Sequence, residues 1–170
     1  MHPDKRTITL QIPVGVVFQL LFVWAGFHLS PPAAVGPQLG DRLAYAAQWY
    51  VLPVLLLIVM YFVVSAKRFN SDLGRDGSAR DQGVNIHSRI MQNTHEQTTI
   101  FVLLNLALST VLPAESLKLI PVLVVLFIVA RIIYWAGYVR NPMYRTFGMV
   151  GTMYPNLVVL PYVIYRLLTR

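Results

Sequence analysis

Residues 119–139 read LIPVLVVLFIVARIIYWAGYV, and Arg131 is the one charged residue in that stretch of 21. As an α-helix the stretch rises about 31 Å, close to the ~30 Å hydrocarbon core of a bilayer. A barrel strand would be about ten residues long with alternating polarity, so a continuously apolar run of this length reads as a transmembrane helix. Working outward, charged residues mark off further apolar runs at about 8–29, 43–66, 97–114 and 146–165, none of which contains Asp, Glu, Lys or Arg. Pro13, Pro53, Pro121, Pro155 and Pro161 fall inside or near the ends of these runs. Neighbouring helices can satisfy the carbonyls that proline frees, so the helical reading stands.

Composition agrees. Of 170 residues, 56% are hydrophobic and 12% charged, about half the ~25% charged share of an ordinary soluble domain. The excess apolar surface must face lipid. With no cysteine, the chain has no disulfide, thiolate metal site or thiol nucleophile of its own, so any sulfur chemistry must come from a bound molecule. The net charge of +7 is not gathered into a basic, aromatic-interleaved segment of the kind that binds nucleic acid. Cationic loops between membrane spans account for it.

Lys5 and Arg6 before the first run raise the alternative of a signal peptide. The run from Ile8 to Leu29 exceeds a typical signal-peptide core, and Ser30-Pro31-Pro32-Ala33-Ala34 lacks a small-x-small cleavage pattern, so a retained helix is expected. The long polar segment, Lys67 to Asn85, contains Gly74, Gly77 and Gly83 and reads as a solvated loop. Its Asp72, Asp76 and Asp81 lack the spacing, glycine and terminal Glu of an EF-hand. With five crossings, one face receives Lys5, Arg6, Lys67, Arg68, Arg75, Arg80, Arg140 and Arg145, and the other Arg42, Lys118, Arg166 and Arg170. Short cytoplasmic loops concentrate Lys and Arg, so the N-terminus and the 67–85 loop are expected in the cytoplasm.

Polar groups at membrane depth are expensive, and each one nominates a functional site. Arg89, Asn93 and Glu96 are spaced i, i+4, i+7, sharing a stripe on a helix expected over about 84–112. Thr94, His95, Gln97 and Thr98 thicken the polar entry of that helix. Arg131, Tyr134 and Tyr138 share a face of the fourth span, followed by Arg140 and Arg145. Glu96 lies about 10 Å inward of Arg89, and Arg131 about 13 Å inward of Arg140, so the two stripes occupy similar depths. This predicts a buried Glu96–Arg131 pair at the floor of a polar cleft, with Arg89, Arg140 and Arg145 at its mouth. Such a cleft suits a small anion that also carries an ammonium group. The competing reading is that the stripes bind helices together. His87 and His95 lack the carboxylate partners of a metal site. Trp24, Trp49, Tyr50 and Trp135 are expected as interfacial anchors or packing residues.

The segment Arg89-Ile-Met-Gln-Asn93-Thr-His-Glu96, followed by Ala130-Arg131-Ile-Ile-Tyr134-Trp-Ala-Gly137-Tyr138-Val-Arg140-Asn-Pro142-Met-Tyr-Arg145 and a last helix with Gly148, Gly151 and Pro155, resembles the MAPEG family. These are membrane-associated proteins in eicosanoid and glutathione metabolism. The resemblance covers about residues 42–168. It implies an all-α membrane protein: a four-helix transmembrane bundle over 42–170, with spans near 43–66, 84–112, 117–139 and 146–168, assembled as a homotrimer. Residues 1–41 would add one extra N-terminal helix, as in a mattrin-like branch. It also implies glutathione as the bound cofactor, held between subunits near the cytoplasmic face by Arg89, Asn93 and Glu96, with Arg131, Tyr134, Tyr138 and Arg140 lining the site. Arg145 would match the catalytic arginine that stabilises the thiolate, with a lipophilic substrate arriving from the bilayer for transfer, reduction or isomerisation. Conjugating members often carry an aromatic residue directly after the stripe's Glu, where this chain has Gln97. The alternative is therefore a non-catalytic relative acting in membrane trafficking or as a partner of other membrane proteins. A transporter using Glu96 and Arg131 is a third reading, without the repeats that class usually shows.

Overall fold

The structure is a computed structural model and describes residues 3–71 and 82–169. Asp72, Arg75, Asp76, Arg80 and Asp81 of the polar loop, and the side chains of Lys5 and Arg6, lie outside the described residues. Among the described residues six helices follow in order: α1 (Pro3–Leu29), α2 (Leu39–Trp49), α3 (Val51–Phe69), α4 (Gln82–Val111), α5 (Leu119–Arg140) and α6 (Arg145–Leu168). Single 3₁₀ turns at Ala114–Ser116 and Pro142–Tyr144 precede α5 and α6. The chain is an all-α membrane bundle.

By length and composition, four helical stretches suit a membrane crossing among the described residues: Thr9–Leu29, Leu39–Phe69, Ala114–Arg140 and Pro142–Leu168. The second differs from the single 43–66 helix expected from sequence. It is longer, and it is jointed at Tyr50, where α2 ends and α3 begins. Pro53 supplies the physical reason, because it has no N–H for the Trp49 carbonyl one turn back. The separate α2 segment has a use. Its Arg42 guanidinium donates to the carbonyls of Thr110 and Leu112, satisfying acceptors that α4 leaves open at its C-terminus.

Helix α4 has 30 residues, about 45 Å of helix, but it is too polar to join those four. Its hydroxyls and amides are largely satisfied within the helix. Thr98, Thr99, Asn105, Ser109 and Thr110 all donate to carbonyls three or four residues earlier. A side chain that bonds its own backbone presents less unsatisfied polarity to its surroundings.

Packing divides into two centres. Toward one end, Phe101 of α4 and Phe127 of α5 stack with centroids 4.4 Å apart, within a core that includes Tyr50, Leu108, Ile120 and Val163. Toward the other end Met60, Ile90, Tyr134 and Tyr138 form a smaller cluster. The first helix, α1, packs on α5 and α6. Its Phe18 ring lies 5.4 Å from that of Phe147, and its Gln11 accepts a hydrogen bond from the Phe147 N–H at 3.2 Å. Leu20, Trp24, Phe62 and Val158 are more than 60% exposed on the outer faces. In a membrane such residues contact lipid.

The α5–α6 contact depends on glycine. A Cβ added at Gly148 would lie 2.4 Å from the Tyr134 nitrogen and 2.5 Å from the Ala130 oxygen, so only hydrogen fits. Gly151 repeats the close approach one turn on, opposite Ala130. Gly148→Val is expected to force α5 and α6 apart and to destabilise the bundle by about 3 kcal/mol. Thermal unfolding in detergent should show a clear fall in Tm, whereas Gly40→Ala, where nothing lies within 4 Å, should leave it nearly unchanged.

Candidate polar site between α4, α5 and α6

Arg131 lies on α5 and is fully buried. Its Nη1 donates to Asn93 Oδ1 at 2.9 Å and to Thr94 Oγ1 at 3.4 Å, both on α4. Its Nη2 donates to Thr152 Oγ1 on α6 at 2.7 Å. The guanidinium carbon sits 4.3 Å from the centre of the Tyr134 ring, so the π face also meets the charge. One side chain therefore ties three helices. Arg131 Nε has no hydrogen-bond partner.

The expected Glu96–Arg131 pair is not formed. Glu96 is exposed on α4, and its Oε1 accepts from Gln92 Nε2 at 3.0 Å. The spacing placed Asn93 and Glu96 on one stripe, but the stripe is about as wide as the contact itself. Asn93 and Thr94 face Arg131, and Glu96 falls on the outward flank. Arg89 is likewise exposed, and its Nε donates to Asn85 Oδ1 at 3.1 Å. Arg140 and Arg145 are exposed at the α5–α6 turn.

That turn fixes Arg145. Asn141 Oδ1 accepts from the Met143 N–H at 2.9 Å, an Asn cap on the turn that Pro142 opens. Gly137 lets the Tyr144 carbonyl approach α5, since a Cβ there would meet it at 2.6 Å. The chain reverses tightly enough to bring the Arg145 guanidinium carbon to 5.2 Å from the Tyr138 ring centre. Tyr138 and Tyr134 are both buried, their rings 5.8 Å apart in an edge-to-face arrangement. Tyr134 also lies within electrostatic reach of Arg145, Arg131 and Glu96. The two stripes therefore converge, though through the hydrogen bond from Arg131 to Asn93 rather than through an ion pair. The result is a rigid, uncharged-partner network inside and a rim of exposed charges outside.

Trp135 is committed to packing. Its Nε1–H donates to His87 Nδ1 at 3.2 Å, joining α5 to α4. His95 is exposed. No group of three His, Asp or Glu side chains among the described residues could hold a metal ion. Sequence reasoning missed Thr152, whose only signal was its place one turn after Gly148 on the face that meets α5. It also passed over Gln19, Asn105 and Asn156, amides within apolar helices that are each no more than 7% exposed. Arg131→Ala would leave Asn93 without its donor and open a void among three helices. We expect a loss of about 3 kcal/mol or more, read as a large drop in detergent Tm, while Glu96→Gln changes it by less than about 0.5 kcal/mol.

Residues 46–165 match the MAPEG family. The chain is 31% identical over 164 residues to transmembrane protein 79 of Mus musculus, covering 94% of this chain and 41% of that protein. It is 34% identical over 149 residues to transmembrane protein 79 of Bos taurus, covering 85% of this chain and 37% of that protein. The chain thus spans about two fifths of the length of these curated relatives. No solved structure matches. The family match runs from α2 through α6 and includes every residue of the three-helix arginine network, and the chain belongs to the MAPEG family.

Proposed function

We propose that this protein binds glutathione at the rim around Tyr138 and Arg145 and uses its thiol on a lipophilic substrate from the bilayer. The observation that carries the reading is the exposed Arg145 guanidinium, held over the Tyr138 ring by the capped α5–α6 turn. The donor set suits a tripeptide with two carboxylates and one ammonium. Arg89, Arg140 and Arg145 are exposed cations, and Glu96 is an exposed carboxylate. Asn93, held by Arg131, offers a preoriented amide, with the buried Tyr134 and Tyr138 rings behind the exposed Arg145. Arg131 has no exposed face and acts by holding Asn93 and Tyr134. Glutathione supplies the nucleophilic sulfur that a cysteine-free chain lacks. A free thiol with pKa ~8.5 is mostly protonated at neutral pH, and a guanidinium beside the sulfur favours the thiolate.

In this reading the protein is a homotrimer with the site completed between subunits, and the N-terminus and polar loop lie in the cytoplasm. A second reading is a non-catalytic relative in trafficking or membrane-protein partnership. It is favoured by Gln97, which faces an apolar groove, and by relatives whose names denote only transmembrane proteins.

Titration with glutathione in detergent decides between them. A ligand at 100 times its Kd stabilises by about 2.7 kcal/mol, so millimolar glutathione should raise Tm by several degrees, and an unchanged Tm would favour the second reading. With an electrophilic aryl halide as probe, Arg145→Ala is expected to lower kcat/KM by at least about 100-fold. Its pH–rate profile should also move upward toward the free thiol's pKa, because the variant must wait for alkaline pH to form thiolate.

A further inference from the structure

Between two close contacts, α1 stands off from the bundle. It is pinned at Gly15, where an added Cβ would lie 3.1 Å from Val150 of α6, and at Gly26, where one would lie 2.6 Å from Val122 of α5. These contacts are eleven residues apart on α1, about 16 Å. In the interval the helices leave a pocket of about 170 Å³, lined by Gln19 and Val23 of α1, Leu119 and Leu123 of α5, and Tyr154 and Pro155 of α6. Helix α1 lies outside the 46–165 match, so the pocket forms where a further helix joins the matched bundle.

One group in it is unsatisfied. Gln19 is 7% exposed, and its Oε1 is buried with no hydrogen-bond partner among the described residues. A buried acceptor without a donor is costly, the more so at membrane depth, where no bulk water can supply one. A trapped water is a poor filler, because it needs about two to four polar partners, and Tyr154 is the other polar side chain among the described residues of the lining. An apolar cavity of ~150 Å³ stays dry and admits a molecule the size of benzene. The pocket therefore suits a short apolar segment that carries a hydrogen-bond donor, and within a bilayer a lipid hydroxyl has that chemistry.

Depth decides which hydroxyl. Lys118, just before α5, holds its ammonium 4.3 Å from the centre of the Phe27 ring, and this cation marks the polar edge of the bundle at that end. Gln19 is eight residues below Phe27 along α1, about 12 Å. The hydrocarbon of one leaflet is about 15 Å deep, so Gln19 lies most of the way to the midplane. A sterol hydroxyl, which stays at headgroup level, does not reach it. A hydroxyl in the distal half of an acyl chain does. We propose that the pocket between α1, α5 and α6 binds a hydroxylated acyl chain, whose hydroxyl donates to Gln19 Oε1. Leu20 and Val158, 63% and 70% exposed at the pocket's edge, leave the chain a way in from the lipid. The pocket shares no residue with the rim around Tyr138 and Arg145, and the inference depends on neither glutathione binding nor oligomeric state.

Ricinoleic acid, with a hydroxyl in the distal half of its chain, and oleic acid, which lacks that hydroxyl, form the matched pair for the test. The purified full chain in a nonionic detergent is given equal amounts of both, and native mass spectrometry measures what it retains. The wild type should hold about ten times more ricinoleic than oleic acid, the ratio that one net hydrogen bond supplies. Gln19→Leu should bring that ratio to about one. Without added lipid the same variant should melt no lower than the wild type, because it removes an orphaned acceptor, whereas a purely structural Gln19 would lower Tm on replacement. Val158→Trp, entered from an exposed position, should fill the pocket and exclude both acids, while Leu157→Trp, which faces the α4–α6 groove, should retain both with the wild-type ratio. A ratio near one in the wild type overturns the proposal, as does a preference that survives Gln19→Leu or a bound acid that Val158→Trp does not exclude. Cholesterol displacing ricinoleic acid at equal concentration overturns it in favour of a sterol.

Discussion

The fold depends on a positive charge in the membrane interior that is balanced without a carboxylate. Desolvating a guanidinium costs several kcal/mol even after relaxation. Here the compensation comes from an amide and two hydroxyls on neighbouring helices and from the face of Tyr134. The partners are neutral and individually modest. Their value lies in geometry, because the planar fork reaches α4 and α6 at once from α5. A lysine at that position, with one point charge on a flexible stem, could not span both. Arg131 therefore acts as a register pin: sliding α6 by one turn would remove Thr152, and sliding α4 would remove Asn93.

That pin works because other residues bring the backbones close. Gly148 and Gly151 let α6 lie against α5 at Ala130 and Tyr134, and this closeness sets Thr152 at 2.7 Å from the guanidinium. Thr152 also lies within hydrogen-bonding distance of the carbonyls of Gly148 and Met149, so its own hydroxyl hydrogen has acceptors while its oxygen accepts from Arg131. Small-residue packing and hydrogen bonding are thus one device. In lipid, where apolar burial between helices gives little drive, this is how a bundle acquires a unique arrangement.

How much of this was legible in the sequence follows from what each signal encodes. Hydropathy reports whether a segment tolerates lipid, and it marked the apolar runs around Arg131 and Pro155 that lie within α5 and α6. It does not report joints: the break at Tyr50 comes from Pro53, whose effect depends on whether neighbours compensate the freed carbonyl. Helical spacing reports which residues share a face, and it grouped Asn93 with Glu96 and Arg131 with Tyr134. Spacing does not report how far a helix is rotated about its axis against its neighbours. A rotation of some tens of degrees decides that Asn93 meets Arg131 and Glu96 faces outward. Thr152 was invisible because a threonine in an apolar helix carries no charge to draw notice, and its importance arises only from the glycine contact beneath it. Charge pairing was the wrong prior at this site, since burying an ion pair requires desolvating two charges rather than one.

The separation of roles follows from the same economy of charge. Among the described residues, the one fully buried cation, Arg131, has structural partners, while Arg89, Arg140, Arg145 and Glu96 stay exposed. Exposed charges keep their hydration until a partner arrives, so they add little to the stability of the lone chain and remain available for binding. Tyr138 links the two layers, being buried beside Tyr134 yet carrying Arg145 on its ring. If the rim binds glutathione as proposed, a substitution there should alter recognition with little effect on folding, and one in the Arg131 network should do the reverse. The rim is open in a single chain, with α4's Gln92, His95, Glu96 and Thr99 all facing outward. A helix so polar on its outer face is poorly matched to hydrocarbon. The polarity that makes α4 an improbable lipid-facing helix is the same polarity that suits it to face another subunit or a charged ligand, and a bundle with its charges already satisfied would have had no reason to place them there.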